Sequence, residues 1–294
     1  MTIAVFTFSL LGAMALGMPI AFALLVCGIA LMHSLGIFDS QIVAQNIING
    51  ADSFPLMAVP FFMLAGEIMN KGGLAKRIVD IALAVVGHVP GGLGYVTILA
   101  SCALASLSGS AAADAAALAA LLVPMMVAAG HRKMYAAGLV AAGGIIAPVI
   151  PPSIGFVLFG VAGGVSISKL FLAGIVPGLL LGVGLCFAWW WVARGEDIER
   201  PARKSFQEIT WAIVDGFWAL MLPVIIVVGL RFGIFTPTEA AVVVAVYALF
   251  VATCIYRELK LSQVYEVFVS AALSTSVVMF LVAAALVSSW LITV

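Results

Sequence analysis

Apolar residues in this chain come in long runs rather than in alternation. They fill positions about 3–32, 54–70, 93–107, 111–129, 134–148, 153–167, 170–193, 211–230, 237–256 and 264–294, punctuated by glycine, proline and short polar clusters. The runs are longer than the 4–8 residues of a typical strand and lack a period of two, so helices are predicted throughout. The longer ones match the roughly 20 apolar residues that carry a helix across a hydrocarbon core of about 30 Å. In hydrocarbon a backbone polar group must find its partner within the protein, which again selects helices. The pattern predicts an all-α integral membrane protein.

Composition strengthens that reading. Hydrophobic residues make up 65% of the chain and charged residues 9%, against roughly 25% charge in soluble domains. Mean hydropathy is +1.27. The formal net charge is zero, so no general attraction to nucleic acid is expected. The N-terminus has no basic region. The run 3–32 is too long for a signal-peptide core and no Ala-x-Ala site follows it, so it is expected to stay as one span. Cys27, Cys102, Cys186 and Cys254 each stand alone in apolar runs, which argues for packing rather than disulfides or zinc. His33, His88 and His131 are likewise isolated.

Basic residues mark the cytoplasmic side. They cluster at Lys71, Lys76 and Arg77, at Arg132 and Lys133, from Arg194 to Lys204, and at Arg257 and Lys260, whereas the stretch from His33 to Ser53 has none. One threading puts all four clusters inside. Segment 3–32 crosses outward and 54–70 returns. Segments 93–107 and 111–129, separated only by Ser108-Gly109-Ser110, form a re-entrant hairpin with its tip buried in protein. Segments 134–148 and 153–167 make one interrupted crossing, 170–193 returns, and 211–230 and 237–256 cross out and back.

A weak internal repeat accompanies this topology. Pro19 and Pro237 both stand near the first turn of an apolar helix, a position proline tolerates. The same offset of 218 residues brings Phe61–Ala65 onto Phe280–Ala284 within one residue. The first member runs outward and its mate inward, as in inverted-topology repeats. A second hairpin tip, 218 residues beyond Ser108, would fall past Val294, so the chain is expected to be a C-terminally shortened form of a longer protein.

Two polar features inside the membrane carry candidate chemistry. The first is Ser106-Leu107-Ser108-Gly109-Ser110 with Asp114 following. A hairpin tip leaves carbonyls of one half-helix and amides of the next unpaired; the former suit a bare cation such as sodium, the latter a carboxylate. Ser108 or Ser110 can cap the second half-helix, and Asp114 sits in its first turn, where negative charge is favoured. Close helix packing through small residues would leave the same trace. The second feature is Gly143 to Ser153, where Pro148, Pro151 and Pro152 remove donors and bar a continuous helix. Carbonyls freed from Gly144 to Val149 could face the hairpin tip, and a kink without a ligand is the alternative. Glu67, Asp80 and Glu239 are intramembrane or interfacial acids, functional candidates by default. Lys71 lies four residues after Glu67, Lys76 four before Asp80, and Glu239 opens a helix, so structural roles are expected for all three. No P-loop, ladder of arginines, zinc motif or nucleophile–base pair stands out, which argues against an enzyme.

At these residues the chain resembles the large membrane subunit of the tripartite ATP-independent periplasmic (TRAP) transporters, the DctM-like family. The resemblance rests on Pro60-Phe61-Phe62-Met63-Leu64-Ala65-Gly66-Glu67-Ile68-Met69, Gly109-Ser110-Ala111-Ala112-Ala113-Asp114, Pro148-Val149-Ile150-Pro151-Pro152-Ser153 and Thr236-Pro237-Thr238-Glu239-Ala240-Ala241, in that order. It covers essentially the whole chain. It implies an inverted-repeat elevator-type transporter in the bacterial inner membrane, multi-pass, with a re-entrant hairpin and an interrupted helix. Residues 1–92 would hold scaffold helices of the first repeat and 93–169 the hairpin and broken helix of the moving part. Residues 170–235 would be connecting helices with a cytoplasmic link, and 236–294 the start of the second repeat. Sodium would be the coupling ion, with no cofactor. Ser106, Ser108, Gly144, Pro148 and Val149 would form its site, mainly through backbone carbonyls. Ser108, Gly109, Ser110, Pro151 and Ser153 would face the substrate, with Asp114 as a structural or functional acid. Implied partners are a small four-helix membrane subunit, a periplasmic substrate-binding protein, an organic acid such as a C4-dicarboxylate, sialic acid or sugar acid, and the lipid bilayer, with no nucleic acid. A two-component anion symporter and a passive channel are the competing readings.

Overall fold

In the computed structural model, residues 2–108, 111–195 and 203–293 are described; the side chains of residues 106–108, 113, 292 and 293 are not. In chain order the helices are α1 (Thr2–Ala15), α2 (Ile20–Leu35), α3 (Ser40–Ala51), a 3-10 turn (Phe54–Met57), α4 (Ala58–Lys71), α5 (Leu74–Val86), α6 (Gly92–Ser108), α7 (Ala111–Ala128), α8 (Lys133–Gly144), α9 (Ile154–Gly163), α10 (Ile167–Ala193), α11 (Phe206–Arg231), α12 (Pro237–Phe250) and α13 (Leu261–Thr293). A π turn, Val251–Ile255, extends α12. The described residues hold no strand. Among them α10, α11, α12 with its π turn, and α13 are each long and apolar enough to cross a membrane alone. The chain is a multi-pass, all-helical membrane protein made of two compact units, residues 1–57 with 272–294, and residues 58–271.

The first unit corrects the expectation that 3–32 is one span. The run splits into α1 and α2 at Leu16–Pro19, and the two helices fold back on each other: the Cys27 thiol lies 3.4 Å from the Phe6 carbonyl. The reason is local. Gly17 sits at φ +80°, where only glycine is unstrained. The amides of Gly17 and Met18 close α1 by bonding to Met14 and Ala13, and Pro19 cannot continue a helix backwards. At about 1.5 Å per residue, α1 and α2 rise only about 21 and 24 Å, short of a full crossing. Cys27, Leu31 and Met32 of α2 pack on Val287 and Leu291 of α13. Gly28 lets Val287 approach, since a Cβ there would stand 3.3 Å from its Cγ1. Ser288 seals the contact by donating to the Leu24 carbonyl at 2.9 Å. The stretch 33–53 is not simply a loop: it holds α3, capped by Asp39, which accepts from the Gln41 amide at 2.7 Å.

In the second unit α4 packs along α12. Thr236 and Glu239 open α12 as a capping box: Glu239 accepts from the Thr236 amide at 2.8 Å and Thr236 from the Glu239 amide at 3.3 Å. Glu239 is thus a capping residue, as its position suggested. The helix α5 was not foreseen among the apolar runs. Leu74, Ile78, Val79, Ala82 and Ala84 are buried while Lys76 and Asp80 are exposed, the pattern of an amphipathic helix. Gly216 of α11 accepts the Ile81 side chain, and a Cβ there would overlap it.

Arg77 of α5 ties this region together. It meets Asp215 of α11 at 3.0 Å and Glu258 at 2.6 Å, and its guanidinium stacks 3.7 Å from the centroid of Tyr256. The Tyr256 hydroxyl donates to the Asp215 carbonyl at 2.8 Å, and burial pushes this phenol up to about 12. Lys71 pairs with Glu266 at 3.5 Å, not with Glu67, and no ion pair joins Lys76 to Asp80 among the described residues.

Candidate functional site: a helical hairpin seated on an interrupted helix

The hairpin legs α6 and α7 hold 17 and 18 residues, roughly 25–27 Å each, and pack on each other and on α8. Their closeness is bought by small residues. Gly143 of α8 lies against Ser101 of α6, and a Cβ there would run into the Ser101 hydroxyl. At Gly144 a Cβ would stand 3.0 Å from the Ala115 methyl and 3.1 Å from the Ala111 carbonyl of α7. Ser101 and Thr97 are buried but satisfied within α6, donating at 2.8 Å to Thr97 and Leu93 carbonyls. Asp114, in the first turn of α7, is buried, with 2% of its surface exposed. A carboxylate so deep is stabilised by the amide end of the helix that carries it.

The far end of α6 and the start of α7 meet the break itself. Ala105 and Ala111 pack with Ile146, Ala147 and Ile150 in one apolar cluster. The halves α8 and α9 hold 12 and 10 residues, so only together do they reach membrane thickness. Between them the chain runs through 145–153, with a cis peptide between Pro151 and Pro152.

The break assigns each carbonyl a fate. Pro148, Pro151 and Pro152 withhold the N–H groups that helical geometry would send to Gly144, Ala147 and Pro148. Gly144 recovers a donor from the Ala147 amide at 3.2 Å. Pro148 recovers one from the Ser153 hydroxyl at 2.6 Å, and the same hydroxyl accepts from the Phe156 amide at 3.3 Å, capping α9. The Val149 carbonyl is turned towards α10, where a Cβ on Gly174 would collide with it. Ala147 receives no backbone donor among the described residues.

The site residues read from the sequence can now be placed. Gly144, Pro148 and Asp114 stand on the elements expected, with Gly144 directly against the hairpin. Val149 faces α10 through its carbonyl. Ser153 is fully buried and its hydroxyl is used inside the break, which makes it a positioning residue in this arrangement. Gly109 and Ser110 lie outside the described residues, as do the side chains of Ser106 and Ser108; the backbone of both serines is the last turn of α6. Pro151 lies in the break, buried. Ala147 falls within the stretch of freed carbonyls, Gly144 to Val149, that the sequence marked, but was not singled out there. The available signal was Pro151 four residues on, which removes the donor that its carbonyl would otherwise receive.

A hairpin lodged on a discontinuous helix, in a chain of this hydropathy, is an arrangement of the kind that secondary transporters use. The chain belongs to the DctM component family of the tripartite ATP-independent periplasmic transporters, whose family model matches residues 7–294. It is similar to the 2,3-diketo-L-gulonate TRAP transporter large permease protein of Escherichia coli, 60% identical over 294 residues, covering 100% of this chain and 69% of that one. It is 39% identical over 285 residues to the sialic acid TRAP transporter large permease protein of Vibrio cholerae (97% of this chain, 67% of that one). It is 36% identical over 296 aligned positions to the C4-dicarboxylate TRAP transporter large permease protein of Rhodobacter capsulatus (96% and 67%). These are transporter components, and the chain is a transporter component rather than an enzyme.

Proposed function

We propose that this chain catalyses sodium-coupled import of an organic acid across the bacterial inner membrane, drawing it from a periplasmic binding protein and working with a small four-helix membrane subunit. A sugar acid of the diketogulonate kind is the first candidate, from the relative that shares 60% of its residues; sialic acids and C4-dicarboxylates follow. The observation that carries the reading is the seating of Ala105 and Ala111 on Ile146, Ala147 and Ile150, which brings two half-helix ends to one place.

In this reading sodium is held by carbonyls. Ala147, left without a backbone donor, and Gly144 and Pro148, each with a second lone pair, come from the break; the last turn of α6 at Ser106 and Ser108 supplies the hairpin's share. The substrate carboxylate is met by the amide end of α7 and by Ser108, Gly109 and Ser110, since no arginine lies in the hairpin or break, while Pro151, which has no N–H, can only border the substrate. Two contacts support inverted repeats. Under the 218-residue offset α2 corresponds to α12, and α4 to the later part of α13. One unit pairs α2 with α13 and the other pairs α12 with α4, so helices that correspond under the offset make corresponding pairs within each unit. Such repeats suit an elevator in which the hairpin and break move against a scaffold.

The test is uptake of labelled sugar acids, sialic acid and C4-dicarboxylates into proteoliposomes holding the protein and its small subunit, with and without an inward sodium gradient and the binding protein. Accumulation that needs both supports the proposal. Accumulation with sodium alone would point to a two-component symporter, and sodium-independent equilibration to a channel.

A further inference from the structure

A cleft of about 430 Å³ opens between the end of α5, the start of α6 and the end of α7. The transport site does not use it. Its walls are Leu83, Leu93, Met125 and Ala128, and its polar groups are His88 and Lys204. Two features set it apart from a packing defect. The Nδ1 atom of His88 is shielded from solvent yet finds no hydrogen-bond partner among the described residues. Lys204 is exposed and makes no ion pair among them. A cation and the ring of a histidine whose Nδ1 is closed to solvent therefore share one apolar cleft.

Its position in the membrane follows from its neighbours. Trp189 donates to the Gly91 carbonyl at 2.8 Å, so the end of α10 lies beside the α5–α6 turn. Trp190 and Trp191 follow, with the Arg194 guanidinium 3.4 Å from the Trp190 ring centroid. Trp211, 66% exposed, stands in the first turns of α11. Tryptophans in such a girdle mark the headgroup level, and the basic residues around them mark the cytoplasmic face. Basic pockets between helices on that face suit anionic lipid headgroups.

We propose that this cleft binds an anionic glycerophospholipid, its phosphate on Lys204 beside the His88 ring and one acyl chain along Leu83, Leu93, Met125 and Ala128. A free anion would leave the apolar walls unmatched. A partner helix, about 10 Å across, is too wide for the volume. The lipid would hold the α5–α6 turn against the end of α7, on the stem of the hairpin.

The experiment is native mass spectrometry of the whole protein released from detergent, followed by titration of delipidated protein with phosphatidylglycerol, phosphatidylethanolamine or inorganic phosphate. One retained anionic phospholipid is expected, with phosphatidylglycerol preferred over phosphatidylethanolamine. The variant Lys204→Gln should weaken it roughly fivefold, and His88→Phe should weaken it further. Lys204 is exposed, so its variant should keep the parent's melting temperature. Equal binding of both lipids, competition by millimolar phosphate, or unchanged retention in both variants would each overturn the proposal. The first would remove the charge argument, the second would make it an anion site alone, and the third would place the lipid elsewhere.

Discussion

The hydroxyl of Ser153 does two things that no other group in the break can do. It donates to the Pro148 carbonyl at 2.6 Å and accepts from the Phe156 amide at 3.3 Å, while itself fully buried. Replacing it by alanine removes an N-cap from α9, which costs about 0.5–2 kcal/mol, and a carbonyl partner worth about 0.6–1.7 kcal/mol between membrane helices. The two contributions share one hydroxyl, so their sum is an upper bound. A loss of about 1–2 kcal/mol is expected. It should appear as a melting temperature lower by roughly 3–6 °C. If Ser153 positions the break, the half-saturating sodium concentration should rise in uptake assays while the substrate concentration dependence moves little. Ser153→Thr keeps the hydroxyl and should restore both. A raised substrate KM with unchanged sodium dependence would refute the positioning role and make Ser153 a substrate contact. An unchanged melting temperature would refute the capping argument.

Three other perturbations follow from the same geometry. Gly144→Val would force a side chain between α8 and α7, where even a Cβ stands 3.0 Å from Ala115; overpacking of about 1–3 kcal/mol should reduce uptake more than tenfold, whereas Gly138→Val, on the same helix with open space around it, should be silent. Trp189→Phe deletes the 2.8 Å bond to the Gly91 carbonyl and should cost about 1 kcal/mol, read as faster amide exchange at residues 91–94. Arg77→Ala removes a guanidinium with 15% of its side chain exposed from Asp215 and Glu258, themselves 61% and 41% exposed. Screening limits the ion pairs, and with the Tyr256 stacking the loss should be about 1–2 kcal/mol in thermal unfolding, with little further loss when Glu258→Ala is added.

The break and the hairpin were legible in the sequence because their causes are local. Proline withholds a donor whatever surrounds it, so Pro148, Pro151 and Pro152 announce an interruption without tertiary information. The fate of each carbonyl was not legible. Whether Val149 faces the hairpin or α10 depends on Gly174, 25 residues away, and only packing decides it. The α1–α2 turn was missed because apolar runs do not say where they reverse; Gly17 and Pro19 were the signal, and the run length outweighed them. The helix α5 was missed for the opposite reason: its apolar stripe at Leu74, Ile78, Val79 and Ala82 is interrupted in sequence by Lys76, Arg77 and Asp80, and a search for continuous hydrophobicity passes over it. Lys71 shows the limit of local charge rules, since Glu67 is four residues away but Glu266 holds the pair.

The positions of the glycines join these observations. Gly143 and Gly144 admit α6 and α7, and Gly174 and Gly178 of α10 admit the Val149 carbonyl and the Ile150 side chain. The interrupted helix is therefore approached closely from two sides at glycines, where backbone and neighbouring side chains fill the space a Cβ would take. Close backbone contact is how membrane helices associate when no hydrophobic force separates them from lipid. It leaves little room at Gly144 and Gly174, where the neighbours a Cβ would meet include the Ala111 and Val149 carbonyls, which cannot yield by rotating a side chain. The proposed sodium site, built from carbonyls, would depend on such close packing, because its ligands would be the backbone itself. The same glycines that make the hairpin dock would make the proposed site sensitive to a single added methyl group, and Gly144, where a Cβ would stand 3.0 Å from Ala115 and 3.1 Å from the Ala111 carbonyl, is the position at which to test it.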